Sequence, residues 1–165
     1  MNSQELFVVI AHNIRSAHNI GSIFRTSDGA GVERIFLTGY TPTPATEQTV
    51  YLTRSHKDLA KTALGAEKSI PWEQSEDIGS VLVRLKSEGY ELVALEQSER
   101  SVDYREYRPK GKVALIVGNE VEGVDAESME QADVILEIPM RGQKNSLNVS
   151  VAFGIAVFEI GGKLE

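Results

Sequence analysis

Two uninterrupted apolar runs, Leu6-Phe7-Val8-Val9-Ile10 and Val113-Ala114-Leu115-Ile116-Val117, constrain the fold of this chain more than anything else in it. Neither alternates apolar with polar residues, so neither suits a strand with one face in water. Both read as strands buried on two faces, as in a parallel sheet covered by helices. Residues 34–37, 90–95 and 134–138 also read as strands, each with one charged residue among its apolar ones. Helical spacings separate them. Ile20, Ile23, Phe24 and Ser27 share one face of a helix, with Asn19 expected as its N-cap and Gly29 and Gly31 at its end. Ile78, Val81, Leu82 and Leu85 repeat the pattern ahead of Gly89, and a long apolar helix is expected from near Ser146 to Gly161. Thr41-Pro42-Thr43-Pro44-Ala45 must be loop, because prolines cannot donate to a strand ladder. Strands alternating with helices predict a single-domain, three-layer α/β sandwich with a largely parallel sheet.

The chain has 165 residues, enough to bury a real core, and no cysteine, which excludes disulfides, a thiolate nucleophile and a Cys-based zinc site. His12, His18 and His56 have no metal-ligand spacing, so no metal is expected and each reads as a surface or loop residue. The N-terminus lacks the cationic start of a signal peptide. The apolar run 149–160 falls short of the roughly 20 residues that span a bilayer. A cytoplasmic protein with no membrane partner is expected. The formal net charge of −7 works against nucleic acid, where phosphate contacts dominate affinity. Only a local cluster of cations can offset it, and residues 53–69 carry one in Arg54, His56, Lys57, Lys61 and Lys68.

In parallel α/β sheets ligands bind beyond the carboxyl ends of the strands. Three polar loops, 11–19, 118–123 and 139–145, follow strands directly and can converge there. Two nucleotide motifs fail. The turn after the first strand has a single glycine, Gly21, and Gly118-Asn119-Glu120-Val121-Glu122-Gly123 is followed by Val124-Asp125 where a phosphate-binding loop needs Lys-Ser/Thr. Taken singly, Asn19 reads as a cap, Arg25 as a solvated cation, and Glu120 as a group that either orients amides or faces water. The stretch Ile138-Pro139-Met140-Arg141-Gly142-Gln143-Lys144-Asn145-Ser146-Leu147-Asn148 is too rich in amides for a plain connector and reads as a small-molecule site.

Together and in order, Asn13-x-Arg15-x3-Asn19-x-Gly21-x3-Arg25-Thr26, Ile116-Val117-Gly118-Asn119-Glu120-x2-Gly123, and Ile138-Pro139-Met140-x-Gly142-x3-Ser146-Leu147-Asn148-Val149-Ser150-Val151-Ala152 resemble the three signature motifs of the SpoU/TrmH-like RNA 2′-O-methyltransferases, of the SPOUT class. The resemblance covers essentially the whole chain.

It implies a C-terminal trefoil knot, a homodimer with active sites at the interface, and S-adenosyl-L-methionine as the methyl donor. Leu95, Gly118, Ile138, Met140 and Leu147 would hold the donor, with Gly118 and Gly142 allowing close backbone approach. Arg25, Asn19, Glu120, Ser146 and Asn148 match the catalytic positions. Arg15, Arg54, Lys57, Lys61, Arg141 and Lys144 are the candidate RNA-binding cations. No appended RNA-binding domain is expected, and transfer RNA is favoured over ribosomal RNA as substrate. A non-catalytic RNA- or cofactor-binding homologue is the alternative; the intact set of catalytic positions favours an enzyme.

Overall fold

The computed structural model describes residues 5–164. Among the described residues seven strands form one sheet, β1 (Phe7–His12), β2 (Arg34–Thr38), β3 (Trp72–Ser75), β4 (Glu91–Leu95), β5 (Val102–Asp103), β6 (Val113–Val117) and β7 (Val134–Glu137). Their order is β3-β2-β1-β6-β4-β7-β5, and every described pairing is parallel. The two long apolar runs are neighbours at its centre, Val9 opposite Leu115 and Ile10 opposite Ile116. Central position explains their composition. Phe7, Val9 and Ala11 of β1 enter one core and Val8 and Ile10 the other, so both faces must be apolar.

The first core is closed by α1 (Ala17–Ala30), α2 (Arg54–Ala63) and α6 (Val149–Gly161), through Ile20, Phe24, Leu59, Phe153, Val157 and Ile160. The second is closed by α4 (Ile78–Ser87), with Val81, Leu82 and Leu85, and by the short α5 (Ala126–Gln131). A four-residue helix, α3 (Ala66–Ser69), precedes β3. Three layers, helix on sheet on helix, are thus present as the sequence predicts.

The structure corrects three local expectations. Ser16, not Asn19, caps α1: its hydroxyl accepts from the Asn19 amide at 3.2 Å, and Asn19 lies inside the first turn. The last helix begins at Val149 with Asn148 as its cap, because Ser146 and Leu147 remain extended loop. His12 is not a loop residue. It ends β1, buried, with Nδ1 hydrogen-bonded to Thr38 Oγ1 at 2.9 Å. His56 completes a reciprocal cap with Thr53 at the start of α2, and His18 Nε2 lies 3.6 Å from Asp58 on that helix. No helix among the described residues is long and apolar enough to cross a membrane.

Candidate active site at the carboxyl ends of the strands

The loop after β6 folds back on itself. Asn119 and Gly123 exchange backbone hydrogen bonds at 3.0 and 2.9 Å, with Gly123 at φ 74°. A Cβ at Gly118 would sit 2.3 Å from the Gly123 carbonyl oxygen, so only glycine permits this tight return. The chain's own return requires glycine at this position, and Gly118 also lines a cavity at the strand ends. At Gly142 an added Cβ meets no protein atom within 4 Å.

The return presents Glu120 to the start of α1. Its carboxylate accepts from the Arg15 and Ser16 backbone amides, each at 2.9 Å, and from Asn19 Nδ2 at 3.1 Å. Glu120 therefore orients amides, the first of the two readings left open by the sequence. Burial on its own would raise the Glu120 carboxyl; the hydrogen bonds from Arg15, Ser16, its own amide and Asn19 outweigh it and hold the carboxyl below its ordinary value. The anion also lies at the positive end of the α1 dipole.

Beside this cluster is a cavity of about 500 Å³ where β4, β6 and β7 end. Leu95, Gly118, Ile138, Met140 and Leu147, the five expected donor-binding residues, all line it, and so do Glu120 and Ser146. Asn19, Arg25 and Asn148 do not. Asn148 caps α6 instead, its Oδ1 accepting from Ser150 N at 2.9 Å and Ser150 Oγ at 2.7 Å. Arg25 is exposed on α1. Sequence reasoning missed Glu96 and Gln97. The Glu96 carboxylate accepts from the Gln97 and Val124 amides, and Gln97 Nε2 donates to the Asn145 carbonyl, pinning the 139–148 loop over the cavity. Their signal lay in position alone, immediately past the third apolar run.

Of the candidate RNA-binding cations, Arg54, Lys57 and Lys61 share one exposed face of α2, at spacings of three and four. Arg54 Nε is drawn to Asp58 Oδ1 at 3.3 Å. Helix α2 rests on the start of α1, with Thr62 Oγ1 donating to the His18 carbonyl at 2.8 Å. Gly21 permits the contact, since a Cβ there would lie 1.9 Å from Thr62 Oγ1. Arg141 and Lys144 are exposed on the cavity loop. Arg141 also lies close enough to Asp103 to help Arg105 hold that carboxyl down to about 2. Among the described residues no three His, Asp or Glu side chains gather into a metal-holding group.

A covered parallel sheet with a ligand-sized cavity beyond its carboxyl edge defines a small-molecule-binding α/β domain. The sequence profile of the SpoU rRNA Methylase family matches residues 6–158. A TrmH family tRNA/rRNA methyltransferase of Staphylococcus saprophyticus is 33% identical over 153 residues, 93% of this chain and 57% of that protein. The tRNA (guanosine(18)-2′-O)-methyltransferase of Aquifex aeolicus is 33% identical over 162 residues, 94% of this chain and 69% of that one. The crystal structure of an AdoMet-bound rRNA methyltransferase from Sinorhizobium meliloti superposes with a TM-score of 0.80 at 28% identity, covering 96% of this chain and 57% of that one. This chain belongs to the SpoU methylase family. It spans little more than half the length of the staphylococcal relative.

Proposed function

We propose that this chain transfers a methyl group from S-adenosyl-L-methionine to a ribose 2′-hydroxyl of RNA. The observation that carries the reading is the cavity, which gathers the five donor-binding positions from three separate stretches and sets Glu120 and Ser146 beside them. Its residues fit the donor. About 500 Å³ is an ordinary volume for a cofactor-sized ligand, and Leu95, Ile138, Met140 and Leu147 offer apolar walls for a purine. The lining carries the carboxylates of Glu96, Glu120, Glu122 and Glu137 and no Lys, Arg or His, which suits a ligand bearing a sulfonium and an ammonium.

When bound, the donor supplies an electrophilic methyl: a carbon–oxygen bond to the ribose forms as the carbon–sulfur bond breaks, the electron pair stays on sulfur, and the hydroxyl proton passes to solvent. Glu120 holds Asn19 and the start of α1 in place for the ribose. Ser146 stands at the cavity wall, and Asn148 fixes the helix that follows it. Arg25 steadies the RNA phosphate and the reacting oxygen. A guanidinium keeps its proton at any ordinary pH, so its role is electrostatic and positional rather than that of a base.

Arg25 lies outside the cavity lining of its own chain, and a homodimer accounts for this. Leu147, Val151, Ile155 and Phe158 form one exposed apolar stripe along α6 and its lead-in, whereas Phe153, Ala156, Val157 and Ile160 on the opposite face are buried. A second copy is the occupant proposed for that stripe. Arg25 lies one turn from Gly29 on the same side of α1, and a Cβ at Gly29 would sit 3.2 Å from the Phe158 ring. Arg25 therefore borders the stripe, and in the proposed dimer it serves the partner's cavity. The trefoil threading of the C-terminal segment belongs to the same proposal. Strand order supports it, since β7 pairs with β4 and β5 rather than with β6, the strand before it.

Transfer RNA is the favoured substrate, supported by the Aquifex relative's named activity, and the cytoplasm the proposed location. The test is isothermal titration with S-adenosylmethionine, then transfer of labelled methyl to total RNA by the wild-type protein and Arg25→Ala. Wild-type transfer should fall at least about a hundredfold in Arg25→Ala, with donor affinity unchanged. Donor binding without transfer by the wild type would favour the non-catalytic homologue.

A further inference from the structure

We infer that Tyr40 is a platform on which an unpaired base of the RNA stacks next to the acceptor ribose. The inference rests on the methyl-transfer reading and names the kind of nucleotide it acts on.

Tyr40 opens the irregular connection 39–53, just past β2, and its polar groups are fastened at both ends. Its backbone amide donates to Asn13 Oδ1 at 3.1 Å, and its hydroxyl accepts from Asn119 Nδ2 at 2.9 Å. Asn119 is buried and lines the donor cavity. Its Nδ2 also donates to the Asn13 carbonyl at 2.9 Å, while its Oδ1 accepts from the Val121 and Glu122 amides, so it has no freedom to follow the tyrosine. Asn13 is held in the left-handed region, at φ 52°. Yet Tyr40 is 59% exposed.

Two asparagines therefore fix the direction of a ring that stays open to solvent. The ring is one hydrogen bond from a cavity-lining side chain. It is also joined, through Asn13, to the loop whose Arg15 and Ser16 amides hold Glu120. An aromatic face that is rigid before binding loses little entropy when a flat ligand covers it. Any base can stack on such a face, because every base has a π-surface. Paired bases in a duplex are covered by their neighbours, so the platform selects a nucleotide in a loop or one turned out of its stack. The connection ends in three more exposed apolar residues, Val50, Tyr51 and Leu52, immediately before the cationic face of α2. A long loop of this kind, with an exposed tyrosine near each end and cations following it, suits RNA.

The experiment compares wild type, Tyr40→Phe and Tyr40→Leu in the presence of saturating S-adenosylmethionine. Fluorescence anisotropy measures binding of a labelled 20-nucleotide single-stranded RNA of mixed sequence and of the same sequence as a blunt duplex. Tyr40→Leu should weaken single-strand binding about tenfold, Tyr40→Phe, which keeps the ring but loses its Asn119 tether, should fall between Tyr40→Leu and wild type, and duplex binding should be the same in all three. Donor affinity should not change. The inference is overturned if Tyr40→Leu binds the single strand like wild type, if Tyr40→Phe is as weak as Tyr40→Leu, or if Tyr40→Leu loses donor affinity, which would place the ring against the donor. It is also overturned if wild type holds the donor but does not prefer the single strand. Failure of the parent reading is separate: wild type would then bind no donor or transfer no methyl.

Discussion

Glu120 and Asn19 stand 101 residues apart in the chain and meet at 3.1 Å, the asparagine amide donating to the carboxylate. With the Arg15 and Ser16 amides on the same carboxylate, this contact ties the β6 loop to the start of α1 and joins two of the three motif stretches. Removing the acceptor leaves those donors without their protein partner. Glu120→Ala is expected to cost about 1–3 kcal/mol in urea unfolding. Because the Glu120 carboxyl is held below its ordinary value, its charged contacts contribute fully above that value, 4.5, and are lost as pH falls through the lower folded-state value. Unfolding followed from pH 6 to pH 3 should show wild type losing the advantage over Glu120→Ala only in that acid window.

Gly118, in the cavity lining, and Gly142, on the 139–148 loop, should behave oppositely. Gly118→Ala drives a methyl to 2.3 Å from the Gly123 carbonyl oxygen and 2.6 Å from Val124 Cα, so the return loop must open. It should cost about 1–3 kcal/mol of stability, as overpacking does, and weaken donor binding measurably. Gly142→Ala meets nothing within 4 Å and should leave both unchanged. Titration calorimetry with S-adenosylmethionine on the two variants checks the contrast.

His12 predicts a second pH dependence. Burial lowers its pKa from 6.5, and the nearby Asp125 and Glu127 charges only partly oppose this. The unfolded chain therefore binds a proton more readily than the folded one. Stability should decline as pH falls below 6.5 and level off beneath the folded-state value. Substituting His12 with Gln should lower stability at pH 8 through the lost Thr38 contact but flatten the decline between pH 7 and pH 5, read from urea midpoints.

The two faces of α6 predict different outcomes. Phe158→Lys and Val151→Lys fall on the exposed stripe, where the side chains are 53% and 51% accessible. Sedimentation velocity should show a monomer that keeps its fold and loses methyl transfer. Phe153→Lys, in the core, should fail to fold.

Much of this was legible in the sequence because burial on both faces leaves an unambiguous apolar run. β1 and β6 are the central strands of the sheet, and their composition announces it. Edge strands carry no such mark. β3, Trp72–Ser75, is half-buried and mostly polar, and β5 is only two residues long, so neither was foreseen. The apolar spacing that begins at Ile20 points to Asn19 as a cap; the real cap, Ser16, lies one turn earlier, and Asn19 is recruited by a carboxylate that no local pattern reveals. The five residues that the family resemblance implies for the donor all line the cavity. Tyr40 and Gln97 carry no local signal because their partners, Asn119 and Asn145, are 79 and 48 residues away.

The most direct test of the central claim is the position of the transferred methyl. Wild-type protein would be incubated with S-adenosylmethionine and unmodified total transfer RNA, the RNA digested to nucleosides, and the products identified by mass spectrometry. The account predicts a 2′-O-methylated nucleoside, absent with Arg25→Ala. A methyl group on a base, or no transfer by a protein that binds the donor, would contradict it.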